Sequence, residues 1–416
     1  MEIVQPYMNG KVARWDLYLS LIEHTLSKEL GPDFDVKGHP LVFSETSQVS
    51  ERDREHFLEA IFEKFSPPAV FFCKSAVLAS FAAAKTTALV VEVGSGVTCV
   101  TPVFDGFALQ KAAVRCPITG DGLTSLLIDA LAQDGVTIRP RYSFKKKLAP
   151  GAGSDEFSVV DVAGTEGTHP SYRNFCIQQI AEDLKLSVCR VSESALTPAT
   201  IGSGVLQSAS YELPDGRLIT VASPRSAHKL CRHFCSSVVH ASSSPPCHCC
   251  LRPVLRFTVA ESLFHSSLLT EEKLKLLGLS SLEQYKSIVD CVIDAVQRSD
   301  TDLKRELYFN IILSGGTTLL PGFKERLEKE LTERLHSAFR VRVVTTSAGL
   351  ERRNGVWIGG SILASLGEGY QCDMLPAPPL LPFLPPLPPP AAHLVVQGRS
   401  SKCGCRSRSS WNTVPP

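Results

Sequence analysis

Eleven consecutive residues, Val356-Trp357-Ile358-Gly359-Gly360-Ser361-Ile362-Leu363-Ala364-Ser365-Leu366, carry no charge and alternate small side chains with bulky apolar ones. A helix with that surface packs closely on several sides, so the stretch predicts a buried internal helix. It is too short to cross a bilayer, and no run of about 18 uncharged apolar residues occurs anywhere in the chain. A chain of 416 residues has room for a large core and two or more domains around such a helix.

The composition, 44% hydrophobic and 20% charged, is that of an ordinary soluble globular protein. A formal charge of +1 argues against a global attraction to nucleic acid or membrane. The N-terminus lacks a basic-then-apolar signal peptide, which points to an intracellular protein. Of fourteen cysteines, Cys231, Cys235, Cys247, Cys249, Cys250, Cys403 and Cys405 crowd two irregular segments. The others are scattered singly and read as small buried hydrophobes.

Apolar periodicity predicts helices over 14–30 and 51–65, a short strand at 40–43, an apolar strand at 69–72 and a small-residue helix at 74–84. A meander follows. Strand 88–93 turns at Gly94-Ser95-Gly96, returns over 97–104, and turns again at Asp105-Gly106 into 107–114. Further helices are expected at 123–132, 173–191, 281–298 and 321–335, with a hairpin on Asp215-Gly216 and strands at 307–313 and 339–344. The stretch from about 150 to 169 reads as a polar loop. Residues 223–253 and the tail from 371, with nine prolines between Pro376 and Pro390, lack any sustained period and are expected to be disordered. Strands interleaved with helices argue for a mixed α/β fold with at least two lobes.

Two glycine turns, Gly94-Ser95-Gly96 and Gly315-Gly316-Thr317-Thr318, each follow an apolar strand. Backbone N–H groups exposed there form a natural phosphate or ribose cradle, although each alone also reads as a plain tight turn. Together with Gly120-Asp121-Gly122 opening a helix, they suggest a nucleotide cleft between two lobes.

The meander, the Ser210-Tyr211-Glu212-Leu213-Pro214-Asp215-Gly216 hairpin, the Leu313-Ser314-Gly315-Gly316-Thr317-Thr318 turn and the uncharged helix occur in the order found in the actin superfamily. The resemblance covers about residues 6–222 and 254–368. Phe72-Cys73-Lys74-Ser75, Ile138-Arg139-Pro140-Arg141-Tyr142-Ser143-Phe144-Lys145, Ser187-Val188-Cys189-Arg190-Val191 and Glu351-Arg352-Arg353 are similar to the nuclear actin-related proteins of chromatin complexes, closest to the subfamily numbered four, the actin-like BAF-type subunit.

What the resemblance implies can be carried over residue by residue. The water-positioning glutamine of actins is Ser75 here, too short to orient a water on a γ-phosphate, so no catalytic residue is expected. The metal-associated aspartate becomes Glu92 and a loop histidine becomes Cys99. Gly94, Ser95, Gly96, Gly120, Lys185, Gly315, Gly316 and Thr317 match nucleotide-contacting positions, and Arg353 replaces a lysine there. Lys185 equally suits a solvated helix face. The family's first phosphate loop would precede the region matching Met1. An incomplete gene model or splice product is therefore the expectation, with the insert and tail as translated non-coding sequence and an unpaired sheet edge in the first lobe.

Cys231-x-His233-x-Cys235 with Cys247-His248-Cys249-Cys250 has the residue types of a zinc site but irregular spacing, which favours an insert without metal. Pro385 to Pro390 could form a polyproline helix for proline-reading domains. Lys145-Lys146-Lys147 after Phe144 could touch nucleic-acid phosphates, against the blander reading of a solvated loop.

The expected architecture is α/β, an actin-like two-lobed fold of the ribonuclease-H-like ATPase superfamily. The first lobe would span 1–82, completed by 355–370. The second would span 83–354 and contain the insert, with 371–416 a disordered tail. The resemblance implies a non-catalytic subunit of nuclear chromatin-remodelling and histone-acetyltransferase complexes, with some of the protein cytoplasmic. It would pair with nuclear actin on a helical segment of the remodelling motor, contact acetyltransferase subunits and histones or the nucleosome, and hold ATP as a structural ligand without membrane contact. The competing readings are an actin-like cytoskeletal ATPase, a sugar-kinase-like relative, and a chain with no stable fold.

Overall fold

The computed structural model describes residues 2–148, 157–196, 209–221, 255–266, 269–345 and 349–365, except 9, 32 and 48, with short strands at 250–251, 375–376 and 393–394. The bulk of the insert 223–253 and of the tail lies outside the described residues, as do the zinc candidate and the polyproline run.

The chain opens with a hairpin, β1 (Tyr7–Met8) and β2 (Lys11–Val12), followed by α1 (Trp15–Glu29), β3 (Leu41–Glu45), α2 (Glu51–Phe65), β4 (Ala69–Lys74) and α3 (Ser75–Ala82). In α1, Tyr18, Ile22 and Leu26 recur every four residues and so share one face. That face meets Phe57 and Ile61 of α2 and Leu41, Phe43 and Val70 of the parallel pair β3–β4. Ser50 caps α2 by accepting the Asp53 amide at 3.2 Å, and Ser66 ends the helix in the left-handed region at φ 50°. Two-residue strands cover the outer sides of this pair: β16 (Leu375–Pro376) on β4 and β17 (His393–Leu394) on β3. The expected open edge is thus paired at Leu41 and Val42.

The second sheet is built on β5 (Ala88–Val93), apolar except for Glu92 and buried on both faces from Ala88 to Val91. It pairs antiparallel with β6 (Thr98–Phe104) and parallel with β14 (Ile311–Ser314). β7 (Phe107–Ala108) and β8 (Val114–Cys116) extend the β6 side, and β15 (Val343–Val344) extends the β14 side. β11 (Ala209–Glu212), β12 (Leu218–Val221) and β13 (Cys250–Leu251) form a separate sheet, followed by helices α6 (Leu255–Glu261) and α7 (Glu271–Leu276). Leu89, Val91 and Val93 face a large core with α4 (Gly120–Gln133), α5 (Pro170–Val188) and α8 (Ile288–Gln297). The alternate residues Ala88 and Val90 face α3 and Leu363 of α12 (Gly355–Ser365).

The uncharged helix is α12, and Gly355, Gly359, Gly360 and Leu363 are its buried positions. It is not buried on every side: Trp357 is 55% and Ile362 39% exposed. Gly359 faces α3 closely and Leu363 packs beside it, while Trp357 and Ile362 point away.

Several expected boundaries shift for identifiable reasons. The stretch read as a loop from 150 contains β10 (Phe157–Asp161), antiparallel to β9 (Phe144–Leu148). The helix expected over 281–298 begins at Ile288, because Ser287 and Asp290 form a reciprocal capping box. The strand expected over 307–313 is split by α9 (Lys304–Phe309). Pro321 lies outside α10 (Phe323–Arg334), because Gly322 precedes the helix at φ 87°, where a β-carbon would meet the Val191 carbonyl oxygen at 2.4 Å.

Candidate functional site

Strand alternation positions the site. Glu92 is two residues beyond Val90, so its side chain leaves β5 on the α3 side and meets the start of that helix. There the Ser75 hydroxyl donates to Glu92 Oε2 at 2.8 Å. Burial pushes the Glu92 carboxyl up to about 7, and the Ser75 hydrogen bond offsets part of that rise. Cys99 lies opposite Glu92 on β6, and burial pushes its thiol up to about 11.

The first lobe closes over this floor. Ser47 and Thr101 share a buried hydroxyl–hydroxyl hydrogen bond of 2.8 Å. Glu45 at the end of β3 receives Lys74 Nζ at 2.8 Å and the guanidinium of Arg54, whose Nε donates to Oε2 at 3.2 Å. Tyr7 of the opening hairpin lies nearby. Burial, then the Glu45 and Glu92 carboxylates, push its phenol up to about 12. A β-carbon on Gly10 in that hairpin would sit 3.2 Å from the Val97 side chain, so the hairpin tip rests against the turn between β5 and β6.

The glycine turns face one another. Val93 hands the chain to Gly94-Ser95-Gly96, and Ser314 hands it to Gly315 at φ 94°. A β-carbon on Gly315 would come 2.5 Å from the Val93 carbonyl oxygen. One on Gly120 would come 2.6 Å from Thr317 Oγ1 and 3.0 Å from the Gly94 carbonyl oxygen. The Gly120 and Asp121 amides donate to the Gly94 and Ser95 carbonyls at 2.9 and 2.8 Å, and the Ser95 hydroxyl donates to Asp121. Gly94, Ser95, Gly120, Gly315 and Thr317 are therefore one cluster, with Gly96 and Gly316 beside it. None of the backbone hydrogen bonds among the described residues uses the amides of Ser95, Gly96, Gly316 or Thr317, and the space beyond Gly316 is open for 4 Å. Free amides around a close backbone approach fit a phosphate chain.

Two expected residues stand differently. Lys185 is 4% exposed, and its ammonium donates at 2.8 Å to both the Gly120 carbonyl and Thr124 Oγ1. It braces the opening of α4 from beneath and is not a solvated helix face. Arg353 is exposed at the end of α11 (Gly349–Arg353). Its neighbour Arg352 touches the loop instead: its carbonyl accepts the Gly315 amide at 3.2 Å, and its guanidinium donates to the Thr318 carbonyl at 3.1 Å. Sequence reasoning passed over Thr124 and named Arg352 and Asp121 only within the Glu351-Arg352-Arg353 and Gly120-Asp121-Gly122 runs, with no role of their own. Asp121 lies in the first turn of α4, and Thr124 stands one turn beyond Gly120. Among the described residues no cluster of three or more His, Cys, Asp or Glu could hold a metal ion.

A protein-family profile described as Actin matches residues 1–374. The actin-related protein 4 of Oryza sativa subsp. indica is 37% identical over 372 residues, covering 89% of this chain and 75% of the relative. That of Arabidopsis thaliana is 35% identical over 378 residues, with 89% and 75% covered. That of Yarrowia lipolytica is 31% identical over 372 residues, with 89% and 76% covered.

Proposed function

This chain belongs to the actin family, as an actin-related protein of type four, and we propose from that premise that it is a non-catalytic, nuclear assembly subunit. The observation that carries this reading is the Ser75–Glu92 hydrogen bond. At the place where actins position a water, a short hydroxyl is turned onto a carboxylate and has no reach toward a phosphate.

In this reading ATP is a structural ligand. Its phosphates would lie on the amides of Ser95, Gly96, Gly316 and Thr317, with Gly94, Gly120 and Gly315 allowing close approach. Bound there, ATP stabilises the arrangement of the two lobes by mass action without being turned over. Lys185 and Arg352 act from behind, holding the loops that would receive it.

The assembly role comes with the family branch: membership of nuclear chromatin-remodelling and histone-acetyltransferase complexes, pairing with actin on a helical segment of the motor, and contact with histones or the nucleosome. Two measurements test it. Affinity capture of the full chain from nuclear extract should recover actin and a remodelling motor. Radiolabelled ATP should raise the melting temperature without release of phosphate. Steady ATP turnover abolished by Ser75→Ala would overturn the non-catalytic reading, and recovery of cytoskeletal partners alone would overturn the nuclear one.

A further inference from the structure

Lys145, Lys146 and Lys147 lie on β9, one strand of a two-stranded ladder with β10. Val159 and Val160 of β10 point to opposite faces, yet they are 38% and 42% exposed. The ladder is therefore a ribbon wetted on both sides. Residues two apart on a strand share a face, so Lys145 and Lys147 project together, about 6.8 Å apart along the strand. Lys146 lies on the other face and pairs with Glu212 at 3.0 Å. At the ribbon's base Arg139 pairs with Asp161 and stacks over the Phe144 ring at 5.3 Å.

The turn leading into β9 adds exposed Arg141 and partly buried Tyr142, whose ring lies 5.4 Å from that of Tyr172. Arg173 beside Tyr172 is exposed as well. Exposed cations thus gather around this ribbon in a chain whose formal charge is only +1.

We propose that this ribbon is a nucleic-acid contact surface that takes the phosphate backbone of a duplex. A two-stranded β-ribbon is one of the two shapes that the major groove admits. Lysines offer point charges suited to phosphate oxygens, which position a protein on a duplex without reading its sequence. An acidic peptide would be expected to seat an apolar residue in a groove, whereas both faces of the ribbon are open to solvent. The proposal is independent of the glycine loops and of whether the cleft holds nucleotide.

The test is fluorescence anisotropy of the full chain with a labelled duplex of about 20 base pairs, and with one of its single strands, from about 50 to 200 mM salt. Duplex binding should weaken log-linearly with salt. Lys145→Gln with Lys147→Gln should lower the slope by about 2 and the low-salt affinity about tenfold. Lys28→Gln with Lys37→Gln, two exposed lysines of the first lobe, should change neither. Should the glutamine pair fail to fold, Lys145→Arg with Lys147→Arg must retain binding. Absence of low-salt binding, equal losses in both pairs, tighter binding of the single strand, or tighter Lys145/Lys147-dependent binding of a polyglutamate peptide would each overturn the proposal.

Discussion

Gly359 approaches Leu78 so closely that a β-carbon would lie 1.7 Å from the Leu78 carbonyl oxygen. The obstacle is backbone of α3 and cannot rotate away. Helices α3 and α12 meet through this contact, between the first-lobe sheet and the second. Ser75 opens α3, so the same contact fixes one half of the Ser75–Glu92 pair.

Gly359→Ala should therefore destabilise the protein by about 3 kcal/mol or more, the upper end for overpacking, because the two helices must separate. Gly349→Ala, where the new atom would meet only Leu319 at 3.6 Å, should stay within about 1 kcal/mol. Urea unfolding midpoints for the two variants check the contrast.

Glu92 sets a pH dependence. Its folded value of about 7 lies above the ordinary 4.5, so between those values the native state holds a proton that the unfolded state has lost. The Glu92 contribution is fully present below about pH 4.5 and is lost as pH rises through 7. Glu92→Gln removes the titration. Its melting temperature should match wild type near pH 4.5, exceed it at pH 8, and change less across that window. A variant that tracks wild type throughout would refute the assignment.

Gly120→Ala would place a methyl 2.6 Å from Thr317 Oγ1 and 3.0 Å from the Gly94 carbonyl oxygen. The two loops must then part by several tenths of an ångström. The ATP-dependent rise in melting temperature expected of wild type should disappear, with circular dichroism unchanged. Persistence of the full rise would mean that nucleotide is not held between these loops.

Arg326 is 1% exposed and bonds Glu261, itself 0% exposed, at 2.9 Å, together with Glu330 and the Ser192 carbonyl. Among the described residues Glu261 Oε2 has no hydrogen-bond partner. Arg326→Met leaves the buried Glu261 carboxylate uncompensated, while Glu330 keeps Arg334 at 2.8 Å, and should cost about 3–5 kcal/mol. Adding Glu261→Gln should restore part of that loss, which denaturant midpoints of the single and double variants would show.

The elements that the sequence revealed are those whose residues state their own environment. The run Ala88–Val93 reads as a strand, and it is one. Ile22 and Leu26 announce a helix stripe, which the structure completes with Tyr18 while leaving Leu21 and Leu30 exposed. Gly94, Gly120 and Gly315 are legible as sites of close backbone approach because no other residue tolerates what they do. The ribbon at 144–161 was hidden because its strand β9 is lysine-rich and its β10 is short, and pairing between them is a non-local choice. Lys185 is ambiguous for a similar reason. Its neighbours in sequence are helical and mixed, whereas the carbonyl and hydroxyl that receive it lie on α4, 65 and 61 residues away.

The resemblance to actins supplied the order of the turns and the replacement of a reaching side chain by Ser75; local pattern by itself determined the glycine turns, the apolar strands and the small-residue helix. Those follow from periodicity and residue type, which act over a few residues. Only the folded structure decided that Ser75 spends its hydroxyl on Glu92, that Arg352 rather than Arg353 holds the loop, and that α12 shows Trp357 to solvent. Such pairings depend on which strand face meets which helix, a geometry created when distant segments pack and absent from any short stretch of chain.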